Sequence, residues 1–251
     1  MIINHDKKVV FIHIPKCAGK AVRHILCEAD MYGKFWHWNY SEKTNSWNDL
    51  AHLPLHLLYH YDEWSFLREY KVIAAIRNPL DRFISAVEEH KRQHDRKITM
   101  SKIIEELDPI KIAYDPRYIH FCPQSYFTHY NGVSVIDTFL HQENLKNELL
   151  SLALELNLNI EKIKQIELLG NASTYANNVN QFNSRDVTKI VELYKDDFNL
   201  LGYPCPNNYK KEFSFENESF KKKIYKAYSF NFPCEPQTNI YLKLRNFFNF
   251  K

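Results

Sequence analysis

The stretch His13-Ile14-Pro15-Lys16-Cys17-Ala18-Gly19-Lys20 constrains this chain more than any other. Before it runs Val9-Val10-Phe11-Ile12, apolar throughout, the pattern of a short buried strand. After it come Val22, Ile25 and Leu26, apolar at helical spacing. A strand, a tight turn carrying Lys and Gly, and then a helix aims backbone N–H groups and a helix N-terminus at an anion. The expected ligand is a phosphate, and the chain is expected to handle a nucleotide.

The Walker pattern G-x-x-x-x-G-K-[ST] is a first comparison, since its Ser/Thr hydroxyl holds Mg²⁺. Gly19 and Lys20 fit it, but Ile14 stands where the first Gly belongs and Ala21 where the hydroxyl belongs. A metal-dependent kinase or ATPase would lose a ligand at Ala21, whereas a nucleotide enzyme that needs no metal would lose much less. A second element of the same kind follows. Lys71-Val72-Ile73-Ala74-Ala75-Ile76 reads as a strand, and it runs into Arg77-Asn78-Pro79. Asn78-Pro79 is a turn signal, and Pro79 suits the first turn of a helix reaching about His90. Arg77 then sits at the carboxyl end of a strand, where its planar guanidinium can grip a phosphate, with the Ser85 hydroxyl as a further donor. Arg82 is read as structural, paired on the surface with Glu88 or Glu89.

The first loop resembles the 5′-phosphosulfate loop of sulfotransferases that use 3′-phosphoadenosine 5′-phosphosulfate (PAPS), in the branch written H-I-P-K-x-A-G-[TS]-[ST]. His13, Ile14, Pro15, Lys16, Ala18 and Gly19 match, while Lys20 and Ala21 depart from the usual hydroxyl residues. The second element resembles that family's 3′-phosphate motif, R-N-P-x-x-R-x-x-S, at Arg77, Asn78, Pro79, Arg82 and Ser85. The resemblance extends from residue 8 to about 204. It implies a three-layer α/β/α domain around a short, mostly parallel sheet, with strands near 8–14, 71–76 and 135–140. Both phosphate motifs are expected at the carboxyl edge of that sheet. It implies PAPS as sulfuryl donor, held by Lys16, Cys17, Ala18, Gly19, Lys20 and Ala21 at the 5′ end and by Arg77 and Ser85 at the 3′ end. Lys16 is also expected to stabilise charge on the leaving oxygen. The acceptor is expected to be a hydroxyl on a carbohydrate, and no metal is expected. A P-loop nucleotide kinase and a catalytically silent nucleotide-binding protein of the same fold are the alternatives.

In that family a His ahead of the second phosphate motif is the usual general base. Here Pro54 marks a helix start and leaves His52 in the preceding loop, which makes His52 the catalytic candidate. His56 and His60, four apart, are expected on one face of the following helix, with His56 beside the substrate. A zinc reading of the three histidines fails on Pro54, which interrupts their alignment, and on the missing H-E-x-x-H carboxylate. Farther on, residues 115–126 are aromatic-rich and broken by Pro. They resemble the family segment H-x-x-P-Q, so that His120 and Gln124 become candidate walls of the acceptor or nucleotide site. His141-Gln142-Glu143-Asn144-Leu145 looks like the family element R-x-E-x-L with His141 in the basic position. Residues 145–156 and 187–198 are expected helices, the second stopped near Gly202. Asn171-Ala172-Ser173 falls where related enzymes place a polar loop over the nucleotide.

At 251 residues the chain can bury a substantial single core. A net charge of +3 gives no reason to expect nucleic acid as a partner. The basic run from His90 to Lys97 is favourable at a helix C-terminus, or could form a rim for an anionic glycan. Trp36-His37-Trp38-Asn39-Tyr40 could offer stacking faces to a sugar. No apolar run is long enough to span a bilayer and residues 1–8 do not form a signal peptide, so a cytoplasmic, bacterial enzyme is expected. Cys17, Cys27, Cys122, Cys205 and Cys234 are an odd, irregular set, expected to be reduced thiols. Residues 1–204 are expected to form the catalytic domain. Residues 205–251, with helix candidates at 220–230 and 240–248, are expected to pack on it or to make a homodimer contact.

Overall fold

The computed structural model describes residues 1–26, 34–36, 38–42, 46–166 and 182–206. The loop at Asn171–Ser173, His37, Cys27, Cys234 and both helix candidates beyond residue 206 lie outside the described residues.

The chain opens with β1 (Ile2–Asn4) and β2 (Val9–Ile12), then α1 (Gly19–Leu26) and a hairpin of β3 (Trp38–Ser41) and β4 (Ser46–Asp49). Short helices α2 (Leu55–Leu58) and α3 (Phe66–Glu69) lead into β5 (Lys71–Ile76) and the long α4 (Pro79–Gln93). Next come α5 (Met100–Glu106), α6 (Pro109–Tyr114), α7 (Ser125–Thr128) and a two-residue hairpin of β6 (His129–Tyr130) and β7 (Val133–Ser134). The last strand is β8 (Thr138–His141), followed by α8 (Leu145–Ala153), α9 (Ile160–Lys164), α10 (Ser184–Leu193) and α11 (Lys195–Leu200).

The main sheet has the order β1-β2-β5-β8, with β1 antiparallel and the other three strands parallel. Ile12 pairs with Ala74 and Ala74 with Phe139, so β2 and β5 end at the same edge. Every residue of β2, and all but Lys71 of β5, is buried, as parallel strands covered by helices on both faces must be. This is the expected mixed α/β architecture with a mostly parallel central sheet. The first strand is shorter than the expected 8–14, because His13 and Ile14 already belong to the turn. The antiparallel β1 was not foreseen, since three residues carry too little pattern.

Local chemistry explains the helix that matters most. Asn78 caps α4 by accepting hydrogen bonds from Leu80 N (3.0 Å) and Asp81 N (3.4 Å), with Pro79 as the first helical residue. The expected closing helix is instead two, α10 and α11, interrupted at Tyr194. Tyr194 is fully buried and its hydroxyl donates to Phe121 O at 2.9 Å, which fixes the break. Gly202, at φ 74°, ends the segment as expected. No helix among the described residues is long and apolar enough to cross a membrane.

Candidate active site

The turn between β2 and α1 carries two non-glycine residues in the left-handed region, Lys16 (φ 67°) and Ala18 (φ 60°). Backbone held this way costs energy and concentrates at functional sites. Lys16 leaves the loop toward α4, where its Nζ lies 3.3 Å from Glu89 Oε2. Lys20 is exposed and Ala21 half-buried. Cys17 is buried, and its thiol donates to Gln124 Oε1 at 3.2 Å. Burial pushes that thiol up to about 12, so it serves as a hydrogen-bond donor and not as a nucleophile.

Gly19 has a packing reason of its own. A Cβ there would sit 1.9 Å from His13 Cδ2 and 2.0 Å from His13 Nε2, and the His13 ring is buried. Gly19→Ala is therefore expected to displace His13 and to destabilise the fold by about 1–3 kcal/mol, as overpacking does. Chemical denaturation measures this, and an unchanged midpoint would show that the ring has room to move.

The second element meets the first directly. Arg77 follows β5, is 7% exposed, and donates from Nη1 to Lys16 O at 3.4 Å. Its backbone is gripped on both sides by one side chain. Arg77 N donates to Gln124 Oε1 (2.9 Å), and Gln124 Nε2 donates to Arg77 O (2.8 Å). Arg77 Nε is buried and has no hydrogen-bond partner, a donor left over where an anion would satisfy it. Ser85 lies two turns along α4, half-buried. Asn78 N donates to Glu143 Oε1 at 2.7 Å, which ties the end of β8 to the same corner.

Gln124 is thus not a wall of the site. It is fully buried and joins the two turns through Cys17 and Arg77, while its own N–H donates to Asp197 Oδ2 at 2.8 Å. Arg82 also departs from the surface pairing expected of it. It is fully buried, donates to His120 O (3.1 Å) and Cys122 O (2.7 Å), and lies over the Tyr194 ring at 5.0 Å. The surface pairs belong to Lys91 with Glu88 and Arg92 with Glu89, which neutralise part of the basic run.

Three histidines gather beside the first loop. His52 ends a 3₁₀ turn, Leu50–His52, that Asp49 caps by accepting from Ala51 N at 3.0 Å. The His13 and His52 ring centroids are 4.4 Å apart, and those of His52 and His120 are 5.6 Å apart. His52 Nδ1 lies 3.0 Å from His13 O. A carbonyl only accepts, so Nδ1 carries the proton and Nε2 keeps its lone pair. Burial outweighs this hydrogen bond and pushes His52 down to about 3; burial and the neighbouring His52 do the same to His120. The cluster is neutral, and His52 has the tautomer that a base acting through Nε2 requires. A cleft beside it is lined by Trp47, Asp49, Leu57 and Pro116. His56 is placed elsewhere than expected. It is buried in α2, pushed by that burial down to about 4, and α2 ends before His60. It is a core residue and presents no wall to a substrate. Trp38 and Tyr40 stand exposed on the β3–β4 hairpin. Among the described residues, no group of three or more His, Cys, Asp or Glu could hold a metal ion.

Two strand–turn–helix elements meet at one edge of a parallel sheet beside a neutral imidazole, an arrangement suited to group transfer. The sequence profile of the sulfotransferase family matches residues 1–204, and the chain belongs to that family. Its members move a sulfuryl group, which implies a nucleotide donor and a hydroxyl acceptor. No curated protein and no solved structure shows significant similarity to the chain.

Sequence reasoning gave no site role to Glu89, Glu143 or Asp197. Glu89 had a readable signal, one helical turn beyond Ser85 on the same face of α4. Asp197 had none, because its partners are distant in the chain.

Proposed function

We propose that this protein transfers the sulfuryl group of PAPS to an acceptor hydroxyl, on a saccharide by analogy with the family branch its loop resembles. The observation that carries the reading is the contact of Arg77 with Lys16 O at the sheet edge, with Arg77 Nε left unpartnered beside it. When bound, the donor supplies an activated sulfuryl group and a bisphosphate leaving group. The 13–21 turn and Lys16 hold its 5′ phosphate, and Arg77 with Ser85 holds the 3′ phosphate. Lys16 brings positive charge to the oxygen on which negative charge develops. His52 Nε2 accepts the proton of the attacking hydroxyl, and His13 O keeps the ring in the tautomer that makes this possible. Residues 1–204 are proposed as the catalytic domain.

Calorimetric titration with adenosine 3′,5′-bisphosphate tests the reading. Binding is expected without Mg²⁺ and far tighter than binding of ATP. Arg77→Ala is expected to weaken it by about ten- to a hundredfold, the worth of hydrogen bonds to a charged group. A preference for ATP that requires Mg²⁺ would replace this reading with a kinase.

A further inference from the structure

Glu89 sits at the centre of a small ionic arrangement that the reaction as described does not use. Its Oε2 faces Lys16 Nζ at 3.3 Å and Arg92 Nε at 3.3 Å. Its Oε1 accepts from the Arg92 guanidinium and from Gln93 Nε2. Arg92 and Gln93 approach from the solvent side of α4, and Lys16 approaches from the loop. The Lys16 side chain is 23% exposed and that of Glu89 16%, so the pair is screened less than a surface pair. Burial opposes ionisation of Glu89, yet the hydrogen bonds from Arg92 and the charge of Lys16 outweigh it and hold the carboxyl at about 2. The carboxylate is therefore charged at any working pH. Arg92 and Gln93 fix its position on a rigid helix, one turn beyond Ser85.

A fixed anion beside Lys16 has a consequence for a phosphorylated ligand. The ammonium has a partner before any phosphate arrives, and a ligand must displace that partner to engage it. We propose that Glu89 is a positioning residue for Lys16, an intramolecular counter-ion that holds the ammonium and surrenders it to a polyanionic nucleotide. This rests on the reading of the 13–21 turn as the donor's 5′-phosphate site. Glu89 makes donor binding weaker than the contacts alone would make it, since a ligand's apparent affinity falls with the fraction of protein in the competent state.

The test is a double-mutant cycle read by calorimetry with adenosine 3′,5′-bisphosphate on the full chain. Glu89→Gln is expected to tighten binding by about three- to tenfold, the release of a lysine that is paired most of the time. A merely structural role for Glu89 would weaken binding or leave it alone. In a Lys16→Met background, Glu89→Gln is expected to have no effect, because the lysine it restrained is gone. Glu88→Gln, which removes the same charge one residue away from an exposed pair with Lys91, is the control and is expected to leave affinity unchanged. An unchanged or weakened affinity in Glu89→Gln overturns the proposal. So does a tightening that persists in Lys16→Met or recurs in Glu88→Gln, since either makes the effect a general matter of charge. Absence of bisphosphate binding by the unmodified protein overturns the donor-site reading itself, and this proposal with it.

Discussion

His52→Ala is expected to lower kcat by about 10²–10⁴-fold while nucleotide affinity stays nearly unchanged, the contribution of a positioned general base. The separation of the two readouts follows from the geometry. In the proposed site the phosphates belong to the Lys16 turn and to Arg77, whereas His52 belongs to a different segment and meets the loop at the His13 carbonyl and ring. The pH profile sharpens the test. An ordinary imidazole would lose its base function as the pH falls through about 6.5, but burial keeps His52 neutral far below that value. The profile of kcat/KM is therefore expected to show no limb near pH 6.5 from this group. Labelled PAPS and a panel of saccharides and small alcohols provide the assay. Loss of nucleotide binding in the variant would make His52 structural, and full activity would move the proton to another residue.

Mild acid is expected to destabilise the protein. His13, His52, His56 and His120 are all held neutral, each chiefly by burial, with folded-state values well below the usual 6.5. The unfolded chain binds a proton at each position as the pH falls through about 6.5, and the folded chain does not. Stability from these groups is complete above the unfolded value and is lost on acidification toward the folded ones. His52, His56 and His120 each contribute a loss of up to about 2 kcal/mol between about pH 7 and pH 5, and His13 acts in the same direction. Asp49 and Asp197 act in the opposite sense, since burial raises their values and the folded chain binds those protons first. Denaturant titrations at neutral and mildly acid pH measure the balance. Equal midpoints at both would show that the histidines find protons in the folded state.

The two strand–turn–helix elements were legible because their signals are written in short contiguous stretches. Residues 13–20 and 77–85 each specify a strand end, a turn and a helix start, and a parallel sheet then has few ways to place them. Residues that act across the chain left no such trace. Gln124 reads as one polar residue in a Pro-broken loop, and its function exists only when Cys17 and Arg77 stand on either side of it. Arg82 reads as a surface cation on a helix, and its burial depends on carbonyls at His120 and Cys122 and on the Tyr194 ring. Pro54 sets His52 apart from His56 in the sequence but does not show which of them faces the site. What separates them is that α2 turns its only histidine inward, while the turn before it lays His52 against the loop.

The wiring of Gln124 also sets when the pocket can exist during synthesis. Its side chain reaches back 107 residues to Cys17, and its backbone waits for Asp197, 73 residues ahead. A nascent chain that already displays both phosphate motifs has no assembled corner between them, because contacts this far apart bear the entropy of closing long loops. The pocket is sealed from its C-terminal side, after α11 has left the ribosome. An N-terminal fragment that carries every motif in the first two-thirds of the chain would hold the letters of the site without its shape.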